Sequence, residues 1–356
     1  MTRHLLQLAA ATMLAVGLMS ATSADDPEPD LKMEIRESAK PVVRTAPRYP
    51  AVELKQRRQG WVQLSYVITD EGEIVDPVVE ASSGSSAFER EALRTVANWK
   101  YTPATWNGSP VQQCATKVMI TFALEGQEST VGRDFNRGYR RATKALEDGD
   151  IESARERVDQ LAKNDGLTLS ETAWLWALRA RIAGRSNDRD AQLRALREAT
   201  RGSAWIDDEL LPGMLYIKAA LELERGQLSD GLKSYDRLLK VDPDMAEIER
   251  LKPHIERVQS LVASEQALSF PGSIDSETDC EDCAKNWHYD PLRRKFSIAN
   301  VNGDLGDIEF RCDWRRAKGK AEEGLTWEVP ESWGDCSVIV FGEPGTTFDF
   351  VELPLA

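Results

Sequence analysis

Between residues 61 and 124 the apolar pattern changes period twice, and this order of periods restricts the fold more than any other feature of the chain. Val62, Leu64, Tyr66 and Ile68 alternate with polar neighbours such as Gln63 and Ser65, the period of a half-buried strand. Asp70-Glu71-Gly72 supplies a turn and Ile74 to Ala81 the return strand. Pro77 points to an edge position, because proline cannot donate to the ladder. Ser86 followed by Glu89 reads as a capping box that starts a helix. Phe88, Ala92, Val96 and Trp99 fall on one helical face, while Glu89, Arg90, Glu91 and Arg94 are expected outside. Pro103 stops the helix, Asn107-Gly108 marks a turn, and Val118, Ile120, Phe122 and Leu124 alternate again as a final strand.

The chain has 356 residues, more than one ordinary core organises, so two or three domains are expected. Its net charge of -14 opposes sequence-independent binding to phosphate backbones and argues against a nucleic-acid partner. The start has Arg3, an apolar run from Leu5 to Met19, and small residues closing at Ala24 before two aspartates. That is the layout of a secretory signal over 1–24. An uncleaved anchor facing the periplasm is the alternative, since the run is only slightly shorter than a spanning helix. A polar linker is expected over 25–42, and the first domain over 43–126.

Residues 133–265 are helical in period, and three stretches look like offset copies of one helical hairpin. Ala142, Gly149 and Ala154 recur in spacing as Ala219, Gly226 and Gly231, with a poorer middle copy around Ala177 and Gly184. Small residues at such positions let two helices cross closely, as stacked repeats require. This stretch resembles tetratricopeptide repeats, with an ordinary helical bundle as the alternative. From 270 to 356 the period shortens: Lys295–Val301, Gly306–Arg311, Ser337–Phe341 and Thr347–Val351 read as strands of a small all-β sandwich.

Four of the five cysteines, Cys280, Cys283, Cys312 and Cys336, lie in this last domain. In an exported chain an even set reads as a disulfide framework, with Cys312 paired to Cys336 and Cys280 to Cys283. Zinc is the alternative, because Cys280 and Cys283 have ligand spacing and His288 is near, but a second close pair is missing. Cys114 is left as a buried strand residue. His254 and His288 have no Ser or Cys motif beside them, so a histidine-based triad lacks support. Asn300, Asn302, Asp304 and Asp307 fit a hairpin turn better than a calcium loop, since Leu305 stands where such a loop needs glycine. No cofactor, metal or small-molecule ligand is expected, and no enzymatic activity.

The first domain resembles the C-terminal domain of TonB-type energy transducers. The resemblance covers about Val43 to Gly126: PRYP at Pro47 to Pro50, Gly60, "TDEGEIVDPVVEASSG" into Gly84, Phe88 and Ala92-Leu93, "WKYTPA" from Trp99, and "NGSPV" ending at Val111. It implies a small α+β unit that pairs a strand with an extended segment of an envelope partner, such as an outer-membrane transporter, or works with an inner-membrane motor complex. On that analogy Tyr49 and Pro50, with the edge strand Met119, Ile120, Thr121 and Phe122, form the contact region. A second role for Tyr49 and Pro50 is to brace the entry to the domain. The chain departs from the family in its short spacer, which extends at most about 80 Å, in Glu53, which stands where a small residue is usual, and in the long sequence that follows the domain. The expectation is therefore an exported periplasmic binding or scaffold protein, with an anchored energy transducer for outer-membrane transport as the alternative.

Overall fold

The computed structural model describes residues 35–126, 130–274 and 285–354. The N-terminal signal or anchor and the Cys280–Cys283 pair lie outside the described residues.

The first module is built on three antiparallel strands in the order β4-β3-β8: β3 is Gly60–Ile68, β4 Ile74–Ser82 and β8 Gln113–Phe122. Pro77 does lie on an edge strand, β4. The short strands β1 (Arg36–Glu37), β2 (Lys40–Val43), β5 (Lys100–Thr102), β6 (Ala104–Trp106) and β7 (Ser109–Val111) form the small sheets β1-β6-β7 and β2-β5. Residues 36–43, assigned above largely to the linker, thus pair with this module. The β6–β7 turn places Asn107 at φ 50° and Gly108 at φ 80°, the left-handed pair that a tight hairpin requires.

A one-turn helix α1 (Ala51–Lys55) precedes β3, and α2 (Ser86–Val96) packs across the sheet. The core is Val62, Leu64, Tyr66, Phe88, Ala92, Val96, Trp99, Ile120 and Phe122, as the alternation dictates. Phe88 and Phe122 stack at 4.3 Å. Two sequence expectations fail at the start of α2. The cap is Ser85, whose hydroxyl accepts from the Phe88 amide, and no Ser86–Glu89 box forms. Glu89 is buried rather than outside, and Ser82 Oγ donates to its carboxylate. A carboxylate in the first helical turn is also favoured by the exposed amides there.

The strand β3 departs from expectation in one further respect. It is buried on both faces, with Trp61, Ser65 and Val67 covered as fully as Val62 and Leu64. The later parts of the chain supply the second cover.

Seven helices of this middle region are α3 (Arg133–Glu147), α4 (Ile151–Ala162), α5 (Leu169–Arg185), α6 (Arg189–Arg201), α7 (Leu211–Glu224), α8 (Leu228–Val241) and α9 (Ile248–Val262). Successive pairs α3/α4, α5/α6 and α7/α8 pack as hairpins. Gly149 and Gly226 turn the first and third with positive φ, and in the second Asn187 takes that conformation at φ 55°. The middle copy is therefore Ala180–Asn187–Gln192, three residues later than the Ala177–Gly184 alignment. Asparagine tolerates the left-handed region, which is why a search keyed on glycine misplaces it.

After α9, β9 is Leu268–Ser273, β10 Asn286–Tyr289, β11 Lys295–Asn302, β12 Leu305–Cys312, β13 Arg316–Lys320, β14 Thr326–Glu328, β15 Cys336–Gly342 and β16 Thr347–Leu353. They form two four-stranded antiparallel sheets, β10-β15-β12-β13 and β14-β11-β16-β9. Phe296, Ile298, Phe348 and Phe350 of one and Phe310, Val338 and Val340 of the other share a core. Cys312 and Cys336 are partners in register and are joined by a disulfide. Buried Arg293 ties this module to the helices, donating to the carbonyls of Leu261, Val262 and Ser264 at the end of α9.

Candidate docking edge

Strand β8 is paired on one side only. Its inner side follows β3 from Gly60↔Phe122 to Ile68↔Gln113, and no strand among the described residues pairs with its outer side. At the N-terminal end that outer side is already used, because the Cys114 amide donates to the Asp313 carbonyl at 3.3 Å. From Ala115 to Phe122 the backbone presents an unpaired strand edge, which templates the addition of another strand.

The side chains divide by the period of the strand. Ile120 and Phe122 point into the core and are buried, whereas Met119 and Thr121 are exposed. Of the four residues that sequence placed at this edge, two therefore offer side chains and two only backbone. Tyr49 is half-buried and set edge-on to Phe88 at 5.7 Å and Phe122 at 6.1 Å, and its hydroxyl donates to the Arg58 carbonyl. Burial pushes the Tyr49 hydroxyl up to about 12, with Glu53 adding to it. Pro50 precedes α1 as its cap. Tyr49 thus packs beside the end of β8, and Glu53, buried below, accepts from Ser85 Oγ at 3.0 Å.

The face of the sheet opposite α2 is backed by charge. At one end Arg311 of β12 lies buried against Ser65 and Asp76, donating to the Asp76 carbonyl at 2.8 Å and to its own strand's Glu309 at 2.9 Å. At the other, Glu80 of β4 meets Lys117 of β8 at 3.1 Å and His288 Nε2 of β10 at 3.2 Å. Asp290 adjoins the same imidazole at 3.7 Å and pairs with Lys233 of α8. Ser229 donates to the Asp290 carbonyl and Ser337 to its carboxylate. Three modules thus converge on one ionic node. Sequence reasoning missed this node because Glu80, Lys117, Lys233 and the neighbours His288 and Asp290 come from distant parts of the chain with no shared motif.

The node gives the assembly a direction in pH. Burial holds the His288 imidazole below its ordinary value, against the pull of Glu80 and Asp290. Burial works against the Glu80 and Asp290 carboxylates too, yet His288 and Lys117, joined at Asp290 by Lys233, hold both below the ordinary range. A depressed base and depressed acids act in the same sense: their stabilisation is present above the unfolded values and is lost as pH falls. The loss begins below about pH 6.5, the ordinary histidine value, and continues through the carboxylate range. Urea unfolding is expected to show less stability near pH 5 than near pH 7.5. The difference should shrink in His288→Gln, and an unchanged pH profile in that variant would contradict the assignment.

Residues 45–124 match the family described as Gram-negative bacterial TonB protein C-terminal. Over 80 residues the chain is 31% identical to the protein TonB of Vibrio cholerae, covering 22% of this chain and 32% of that one. Over 86 residues it is 34% identical to the protein TonB of Pseudomonas aeruginosa, covering 24% of this chain and 25% of that one. A solution NMR structure of the Pseudomonas aeruginosa TonB CTD aligns with 28% identity and a TM-score of 0.22, over 25% of this chain and 89% of that chain. The chain thus spans 32% and 25% of the lengths of these two curated relatives. The matched segment holds β3, β4, α2 and β8, the elements that make the open edge.

Proposed function

We propose that the chain is an exported envelope protein that binds, without catalysis, an extended segment of a partner along the outer side of β8. The observation that carries this reading is the unpaired edge from Ala115 to Phe122 within the segment that matches the TonB C-terminal family. Strand addition there supplies backbone hydrogen bonds for affinity, and alternate side chains beside Met119 and Thr121 supply selection. The helices and the paired sheets act as a scaffold that fixes the setting of the edge through the ionic node and Arg311.

The similarity to TonB proteins favours an outer-membrane transporter as the partner class, and it supports a second reading, an anchored energy transducer. Fractionation of a tagged chain separates the two: a soluble mature form starting near Asp25 supports the scaffold, and a membrane-bound uncleaved form the transducer.

A photocrosslinking residue in place of Met119, which is 39% exposed on the edge, tests the docking site itself. In cells it is expected to capture an envelope protein that the same residue at Arg90, on the exposed side of α2, does not. Equal capture at both positions, or none at Met119, would remove the edge as the site.

A further inference from the structure

The first helical hairpin carries a basic surface that the docking edge does not use. On α3, Arg133, Arg137, Arg140 and Lys144 recur at intervals of four, three and four residues, which places them in one stripe along the helix. All four are exposed. The chain as a whole is acidic. Here Arg133, Arg140, Arg141, Arg155 and Arg157 have no carboxylate within ion-pair distance among the described residues, while Arg137 reaches Asp134 at 3.8 Å and Lys144 reaches Asp148 at 3.1 Å. Beside the stripe, a cleft of about 370 Å³ runs between α3 and α4. Arg141 stands on one wall and Arg157 on the other, with Ser153, Glu156 and Gln160, and Gly138 and Leu161 at its base. Gly138 lets α4 approach α3 closely, since a Cβ there would meet Leu161 at 2.7 Å.

From this arrangement we infer that the α3/α4 face is a second docking surface, separate from the β8 edge, for an acidic extended segment of a partner protein. Positions four apart on a helix rise about 6 Å, and alternate residues of an extended chain recur about 6.8 Å apart. An extended segment of about five residues spans the stripe's length of about 16 Å and sets three alternate carboxylates against its four cations. Guanidinium forks suit carboxylates in two-point contact, and Ser153 and Gln160 offer hydrogen bonds to the peptide backbone. An anionic bilayer fits less well. The apolar side of α3, Phe135, Ala142 and Leu146, is buried inside the hairpin, leaving no apolar face to insert. Glu156 in the cleft disfavours a compact dianion such as phosphate. The recognition is short-ranged, because charges more than about 8 Å away are screened at physiological salt, so the acidity of the rest of the chain does not cancel it.

The test uses the full chain and a fluorescein-labelled peptide of alternating glutamate and serine, read by anisotropy at low and physiological salt. Binding is expected, weakening as salt rises. The quadruple variant Arg133→Gln, Arg137→Gln, Arg140→Gln and Lys144→Gln, and separately Arg141→Gln with Arg157→Gln, are each expected to lower affinity at least about tenfold. Both should leave the melting temperature unchanged, as all these side chains are exposed. Arg250→Gln with Arg257→Gln on α9 should bind as the parent does. The inference is overturned if the parent does not bind the peptide, if a glutamine-for-glutamate peptide binds equally, or if the α9 variant loses as much affinity. Full displacement by inorganic phosphate at matched ionic strength would also overturn it, as would preferential binding to phosphatidylglycerol vesicles.

Discussion

Replacing Cys312 and Cys336 together by alanine is expected to lower the stability of the paired-sheet module by about 3.5 kcal/mol. The bond closes a loop with a sequence separation of 24, and the loss of loop entropy from the unfolded chain sets that magnitude. The two residues are opposite each other in β12 and β15, the strands at the centre of the sheet β10-β15-β12-β13. Cys312 is fully buried among Phe310, Val338 and neighbouring apolar groups, so alanine avoids placing a hydroxyl in that core. Denaturant unfolding followed by the tryptophans of the module, Trp287, Trp314, Trp327 and Trp333, reads the change. Reduced parent protein should unfold at the same denaturant concentration as the double variant. If oxidised and reduced parent unfold together, or if non-reducing mass spectrometry finds free thiols at these positions, the bond does not carry the stability ascribed to it.

The disulfide was legible in the sequence because an even set of cysteines falls in a small β domain and Cys312 and Cys336 stand at strand ends. The same is true of the first module, where Val62 to Ile68, Phe88 to Trp99 and Asn107-Gly108 each state a local preference that the fold keeps. What was not legible has a common physical origin: polar residues whose partners are distant. Ser65 reads as the solvent side of a strand, yet it is buried because Arg311 reaches it from 246 residues away. Glu89 reads as a surface charge on a helix, but the preceding turn brings Ser82 to it and sinks it below the surface. Asn187 does the work of a glycine, and a composition pattern does not register it. The strands β9, β10, β13 and β14 carry too little alternation to be found before their neighbours are known. At the docking edge, sequence located the strand and its apolar face, but not that Asp313 closes its N-terminal end.

The second large effect is expected from Glu309→Gln, about 3 to 5 kcal/mol of destabilisation. Glu309 is fully buried and faces Arg311 at 2.9 and 3.2 Å, Lys318 at 3.5 Å and Arg316 at 3.8 Å. Arg316 and Lys318 have a second carboxylate in Asp76. Burial opposes that charge, but the hydrogen bond from Arg316 and the field of Lys318 hold it below the ordinary carboxylate range. Arg311 has no such alternative: apart from Glu309 it bonds only to the Asp76 carbonyl and the Ser65 hydroxyl among these contacts. Glutamine keeps the shape and removes the charge, so the guanidinium stays buried without its counter-ion. Removing both charges, as Glu309→Leu with Arg311→Met, should recover most of the loss, because the cost of desolvation disappears with the pair. The local readout is Cys114. It is buried beneath Arg311 and Arg316, where burial pushes its thiol up to about 12, so it should resist alkylation in the parent. Loosening of β12 from β3 and β8 in Glu309→Gln should expose it, with faster modification at Cys114 identified by mass spectrometry. A variant that loses stability while Cys114 stays unreactive would place the damage within the paired sheets and not at their contact with the first module.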